Sequence, residues 1–323
     1  MLVGGWPGAA RHETIDGVRF HRYGNRVTPH LVHSFFLKYH SDADIIVDDM
    51  AHAAPWLSPW FCDLPGTVFF HHLHSRSLSG QVSRPLAVTL SWMERQYAHF
   101  YRSWPFVTES ESSERDLEHL GIEHSRITRI PPGVDTELFH PRQKTERPTL
   151  VYFGGMRPYK RPEHALFALK ILLDKGYDVK LTMVGAGPSH QLLRSLSSKL
   201  KIDGHVHFTG KIDNVRLSEI VAESWVNIHC SLTEGWGFST MEAAASGTPT
   251  VAYKVPGISS SVIEGKTGVL ANDGDISMLA SKSEYIIRLC NEWTSSCRSF
   301  AESYSWKNTA RLWEDHLKQI ASI

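Results

Sequence analysis

The sequence predicts an α/β protein built from two doubly wound, parallel-sheet domains, on three observations. Short β-branched runs alternate with amphipathic stretches of helical length, the pattern of βα units wound around parallel sheets. At 323 residues the chain exceeds the size at which a single core stops growing, so two domains are expected. A polar stretch bounded by prolines, PRQKTERP at 141–148, separates two such alternations and is the expected linker. The expected organisation is therefore 1–145, 146–304 and a closing helix at 305–323.

The elements follow in order. In the first half GVRFHRYG, ADIIVDD, GTVFFHH, PFVTES and RITRIPPG are strand candidates, with helices near 30–40, 86–103 and 110–120. The second half is clearer: strand TLVYFGG (149–155), a helix over 161–176 stopped by Gly176, strand and glycine loop DVKLTMVGAGP (178–188), and a helix over 189–200. Strand HVHFTG (205–210), a helix over 214–224, and strands WVNIHCS (225–231) and TPTVAYK (248–254) complete the set. SWKNTARLWEDHLKQI (305–320) spaces Trp306, Ala310, Trp313, Leu317 and Ile320 as the apolar face of a helix. Two α/β domains joined by a short hinge are expected to take their ligand between them, at the carboxyl ends of the strands.

Composition narrows the function. Lysine plus arginine equals aspartate plus glutamate at 34 each, which leaves no net field to favour nucleic acid or an anionic surface. Cys62, Cys230, Cys290 and Cys297 follow neither a C-x-x-C pattern nor a dense secreted framework. With no apolar run long enough to span a bilayer and no signal-peptide pattern at the start, a reduced, cytoplasmic protein is expected. AAPWLSPWF (53–61) places Trp56, Trp60 and Phe61 in one apolar loop, suited either to core packing or to touching a lipid acceptor or the cytoplasmic membrane face.

The chemistry concentrates in TEGWGFSTMEAAASGTPTV (233–251), where seven residues separate Glu234 from Glu242. Glu234 follows a strand directly, Gly235 and Gly237 permit a sharp turn and close approach of a ligand, and a helix begins near Ser239 with free N–H groups that suit an anion. Both carboxylates can face one pocket, where a carboxylate accepts paired hydroxyls of a ribose or hexose. Ser239-x-x-Glu242 is also the pattern of a capping box, in which the glutamate only closes the helix start. GAGPSH (185–190) lacks the third glycine and the acidic partner of a dinucleotide fingerprint. H-H-x-H at His71, His72 and His74 ends a strand whose neighbouring side chains point to opposite faces, which suits a metal poorly.

The run EGWGFSTMEAAASGTPTVAYKVPGISSSVIEGKTGVL, together with RITRIPPGVDTELFHP (126–141) and GGMRPYKRPEHAL (154–166), resembles the retaining GT-B glycosyltransferases of family 4. The resemblance implies two Rossmann-like domains facing a cleft, a UDP- or GDP-sugar donor, no bound metal or other cofactor, and transfer of a hexose with retention to a saccharide or glycolipid acceptor. It implies Glu242 on the donor ribose, Glu234 near the hexose, and the backbone of Gly235, Trp236, Gly237 and Phe238 near sugar and phosphates. Lys160 then neutralises the leaving diphosphate. The arginine expected after the first glycine is replaced by Gly155, so Arg157 and Arg161 are the candidates to supply its charge. His71 matches the family histidine near the donor sugar, Gly185 and Gly187 face the base, Gly133 matches a turn before the linker, and the last helix returns to the N-terminal domain. About 70 residues that open a family member have no counterpart before Met1. The N-terminal domain is accordingly expected to be incomplete, and a partner chain could supply the missing layer.

Overall fold

Buried apolar runs organise the chain into two units in the computed structural model, which describes residues 1–25, 28–40, 42–76, 78, 82–289 and 292–321. The first unit comprises Met1–Thr108, Leu117–Thr128 and Glu314–Ile323, and the second Glu109–Asp116 and Arg129–Trp313. Among the described residues no helix is long and apolar enough to cross a membrane.

The first unit carries two sheets. β1 (Leu2–Gly4), β2 (His12–Ile15) and β3 (Val18–Tyr23) form a small sheet of order β1-β3-β2, with β2 antiparallel to β3. β2 escapes a sequence search because all four of its residues are exposed and show no alternation. After α1 (Thr28–His40), a second sheet runs β4-β5-β6-β7: β4 (Ile46–Met50), β5 (Gly66–Phe70), β6 (Phe106–Thr108) and β7 (Ile127–Arg129). Its β4-β5 and β5-β6 pairs are parallel. Met50, Val68, Phe70 and Phe106 form its core with Tyr97 of α3 (Tyr97–Phe100), Tyr101 and Leu117, whereas α2 (Arg84–Arg95) keeps Leu86, Val88 and Trp92 exposed. Trp56 is half-buried and stacks on His30, with ring centroids 4.1 Å apart, whereas Trp60 and Phe61 are exposed.

Residues 111–116 of α4 (Glu111–His119) belong to the second unit, whose six-stranded sheet is parallel throughout, in the order β10-β9-β8-β11-β12-β13. Its strands are β8 (Thr149–Phe153), β9 (Lys180–Val184), β10 (Val206–Gly210), β11 (Val226–His229), β12 (Thr250–Tyr253) and β13 (Gly268–Ala271). Apolar runs without alternation fit strands covered on both faces. α5 (Glu163–Asp174), α6 (His190–Lys199), α7 (Asn214–Glu223), α8 (Phe238–Ala245), α9 (Ile258–Ser261), α10 (Ile276–Arg288), α11 (Thr294–Glu302) and α12 (Trp306–Ala321) complete the chain. The chain winds outward from β8 to β10, then returns to the other side of β8 with β11. That reversal opens a crevice at the carboxyl ends of β8 and β11.

The stretch 141–148, the linker expected from sequence, lies inside the second unit. Lys144 Nζ donates to Ala222 O (2.9 Å), Ser224 O (2.7 Å) and Thr248 Oγ1 (2.7 Å), and Trp225 Nε1 donates to Thr145 O (2.7 Å). Polar composition here marks a segment tied by hydrogen bonds to the amino-terminal ends of the inner strands β11 and β12. Gly133 is more than a turn glycine, since a Cβ there would stand 2.2 Å from Trp306 N at the start of α12. Cys62 is half-buried and Cys230 and Cys297 are buried, all as free thiols, while Cys290 lies outside the described residues.

Candidate functional site

The crevice at the switch point is a cavity of about 460 Å³ lined by the ends of successive strands and the start of α8. β8 contributes Phe153, Gly154 and Gly155, β9 contributes Val184, Gly185 and Ala186, and the loop after β10 contributes Lys211 and Ile212. Lys160, Leu217, Glu234, Gly237, Phe238, Ser239 and Glu242 close it. Gly185 permits the close crossing of two of these loops: a Cβ at its φ of +129° would stand 2.0 Å from Gly154 O.

Glu234 sits after β11 with its carboxylate held on one oxygen. Lys160 Nζ lies 2.7 Å and Ser231 Oγ 2.6 Å from Oε1. His229 Nε2 stands 3.4 Å from the same oxygen, without forming a hydrogen bond. Burial alone raises the pKa of this acid, but the His229 and Lys160 contacts outweigh it and hold the carboxyl far below its usual range. Its loop is braced from behind, because Glu234 N donates to Pro256 O at 3.1 Å.

Glu242 differs in environment. Among the described residues no hydrogen bond or ion pair engages its carboxylate, and burial pushes its pKa up to about 7. The capping box does not form. Gly237, at φ +93°, is the N-cap of α8, so the helix starts at Phe238, one residue before the position expected from sequence. Ser239 is then inside the first turn, its hydroxyl 3.1 Å from His229 Nδ1, and Glu242 lies a turn further along, facing the cavity. The buried alanines 243–245 let α8 pack closely on its neighbours. The N–H groups of Phe238 and Ser239 precede the first intrahelical donor, and among the described residues they have no protein acceptor.

Of the residues expected from sequence, the cavity brings together Lys160, Gly185, Glu234, Gly237, Phe238 and Glu242. Gly187, Gly235 and Trp236 do not line it. Trp236 is buried in the core against Tyr304, at a centroid distance of 5.4 Å, and Gly187 avoids a clash with Met156 O, which a Cβ would meet at 2.4 Å. His71 belongs to the first unit, at the end of β5, with Nε2 2.7 Å from Asp49 Oδ1. Arg157 is exposed, and its side chain passes about 3.9 Å from where a Cβ at Gly155 would be. Lys211, Ser231 and His229 carry no site signal in the sequence, because single polar residues at strand ends form no periodic pattern.

Arg161 is a structural cation. Its guanidinium donates to Cys230 O (2.8 Å), Ser231 O (2.9 Å) and Asp273 Oδ1 (2.5 Å) and lies over the Tyr253 ring, away from the cavity lining. Its left-handed backbone, φ +47°, turns the side chain back over the strand ends. Arg161→Ala is therefore expected to lower stability by about 1–3 kcal/mol through the unpaired carbonyls, measured by thermal melting.

A crevice at the carboxyl ends of a parallel sheet, lined by glycine loops and a helix start, lies where doubly wound α/β folds take their ligands. Residues 134–302, just over half of the chain, match the family Glycosyl transferases group 1, and residues 2–138 match Glycosyltransferase Family 4. The chain belongs to the glycosyl transferases group 1 family. The glycogen synthase of Mycobacterium tuberculosis is 28% identical over 72% of this chain and 58% of its own length. The D-inositol 3-phosphate glycosyltransferase of Corynebacterium glutamicum is 25% identical over 63% and 54%. The chain thus spans little more than half the length of these relatives. Among solved structures, sucrose-phosphate synthase from Thermosynechococcus elongatus superposes with a TM-score of 0.82 at 20% identity, over 100% of this chain and 89% of that one. Anabaena HepE in complex with UDP gives 0.73 at 16%, over 94% and 86%. The fold is GT-B, as the resemblance implied.

Proposed function

We propose that this chain binds a UDP- or GDP-sugar in the cavity of its second unit and transfers the hexose, with retention, to a saccharide or glycolipid acceptor. One observation carries the proposal: Glu234, Glu242, Lys160 and the free N–H groups at the start of α8 line one cavity. Glu242 accepts the ribose hydroxyls, Val184, Ile212 and Leu217 offer an apolar slot for the base, and Lys160, Lys211 and the helix start meet the diphosphate. Positive charge fixed there stabilises the leaving diphosphate without a bound metal. Glu234 faces the transferred sugar.

The raised pKa of Glu242 gives the proposal a measurable sign. Between the ordinary carboxyl range and pH 7 the Glu242 carboxyl holds more proton in the folded protein than in the unfolded chain, so this group's contribution to stability falls as pH rises from 4.5 to about 7. Ribose hydroxyls donate to the ionised form. Donor binding is therefore expected to release a proton near pH 6–7, with affinity rising up to about pH 7 and level above it. Calorimetry of UDP-glucose and GDP-mannose in buffers of different ionisation enthalpy reads this directly, and proton uptake, or no donor binding at all, contradicts the assignment.

A second reading, a sugar-nucleotide-binding module or half of a two-chain enzyme, is favoured by the glycine at 155 and by the engagement of Lys160 with Glu234. It predicts donor binding without transfer until another chain is added.

A further inference from the structure

Three side chains converge on a single oxygen of Glu234. Lys160 and Ser231 hydrogen-bond Oε1, and His229 Nε2 faces it at 3.4 Å, while among the described residues no protein group engages Oε2. His229 is only 6% exposed, so its ring cannot turn to water. Its Nδ1 lies 3.1 Å from Ser239 Oγ, but its Nε2 is buried without a hydrogen bond. A buried polar nitrogen left unpaired is costly, and the gap to Oε1 closes with a shift of a few tenths of an ångström.

Nε2 is the ring nitrogen that the geometry requires to carry a hydrogen. With a lone pair there, the nitrogen would face a carboxylate oxygen, whereas Nδ1 can accept the hydroxyl hydrogen of Ser239. Lys160 meanwhile has two roles to fill. Its ammonium pairs with Glu234, yet it lines the cavity in which a diphosphate needs a cation.

We infer that His229 is a positioning residue for Glu234. When the Lys160 ammonium turns to the donor diphosphate, the Nε2–H of His229 takes over Oε1 and keeps Oε2 aimed at the sugar hydroxyls. Nδ1 at the same time fixes Ser239 in the first turn of α8, so one ring links the sugar side of the cavity to its phosphate side. The inference rests on the donor site proposed above, but its geometry belongs to the protein alone.

The test combines imidazole nitrogen NMR with three variants. Nitrogen shifts of His229 in the free protein are expected to show the Nε2–H tautomer, with the Nε2–H proton moving downfield on addition of UDP. Gln places its amide near Nε2, whereas Asn places it near Nδ1. His229→Gln is accordingly expected to keep kcat close to wild type. His229→Asn and His229→Phe lower kcat by about 10- to 100-fold, the effect of losing a hydrogen bond to a charged group, with a smaller change in donor KM. An Nδ1–H tautomer overturns the inference. Rescue by Asn but not Gln also overturns it, because the ring would then act only through Ser239, and so does a stable His229→Phe with full kcat. If His229→Phe fails to fold, the Gln and Asn pair still decides. If the wild type turns over no donor, transfer is refuted, and the tautomer of the free protein still decides the role of His229.

Discussion

Lys160→Ala is expected to lower donor turnover by about 10²–10³-fold, the usual cost of removing one fixed donor from a developing anion. Under the proposed function the ammonium meets the diphosphate from the cavity wall. The side chain is about one-fifth exposed there, and its ammonium has hydrogens to spare after meeting Glu234 Oε1 at 2.7 Å. Loss of the cation also removes one of the contacts that keep the half-buried Glu234 ionised, leaving Ser231 and His229 to hold it. The decline should therefore appear in kcat as well as in donor affinity, measured by steady-state kinetics with UDP-glucose and by calorimetry with UDP. Unchanged kcat and affinity would remove Lys160 from the mechanism.

Gly257→Ala is expected to have the largest structural effect at the site. Gly257 adopts φ +83°, and a Cβ there would stand 2.0 Å from Glu234 O and 2.5 Å from Glu234 C. Both atoms are backbone, so the loop that carries Glu234 must move, and a left-handed alanine adds its own cost, for a total on the order of 2–4 kcal/mol. Gly257 N also donates to Ser112 Oγ at 2.7 Å, which leaves the glycine little room to retreat. Gly204→Ala is the control, because Gly204 has no heavy atom within 4 Å of its added Cβ and no left-handed φ. Melting temperature and turnover should fall together for the first variant and stay near wild type for the second. Equal behaviour of the two would show that the loop does not depend on that close approach.

Most strands and helices of the second unit were legible in sequence, because strands buried on both faces read as continuous apolar runs and the helices between them carry strong periodicity. β2 was not, since every residue on it is exposed. The paired acids were visible through their spacing and their position after a strand, but their roles were not. The capping-box alternative for Glu242 stays open in the sequence because the pattern cannot reveal that Gly237, with its positive φ, starts the helix early enough to turn Ser239 toward His229. Arg161 looked like a ligand cation because sequence places it beside Lys160. Its left-handed backbone instead sends the guanidinium to the carbonyls at the end of β11. Lys211 reaches the cavity only because β10 lies next to β9 in the sheet, a neighbour relation that no local pattern encodes.

The most direct measurement is a structure of the chain with UDP bound. The account predicts the ribose hydroxyls within about 3.2 Å of the Glu242 carboxylate, with the diphosphate between Lys160 and the first N–H groups of α8. A nucleotide bound elsewhere, or a Glu242 carboxylate turned away from the ribose, would contradict it.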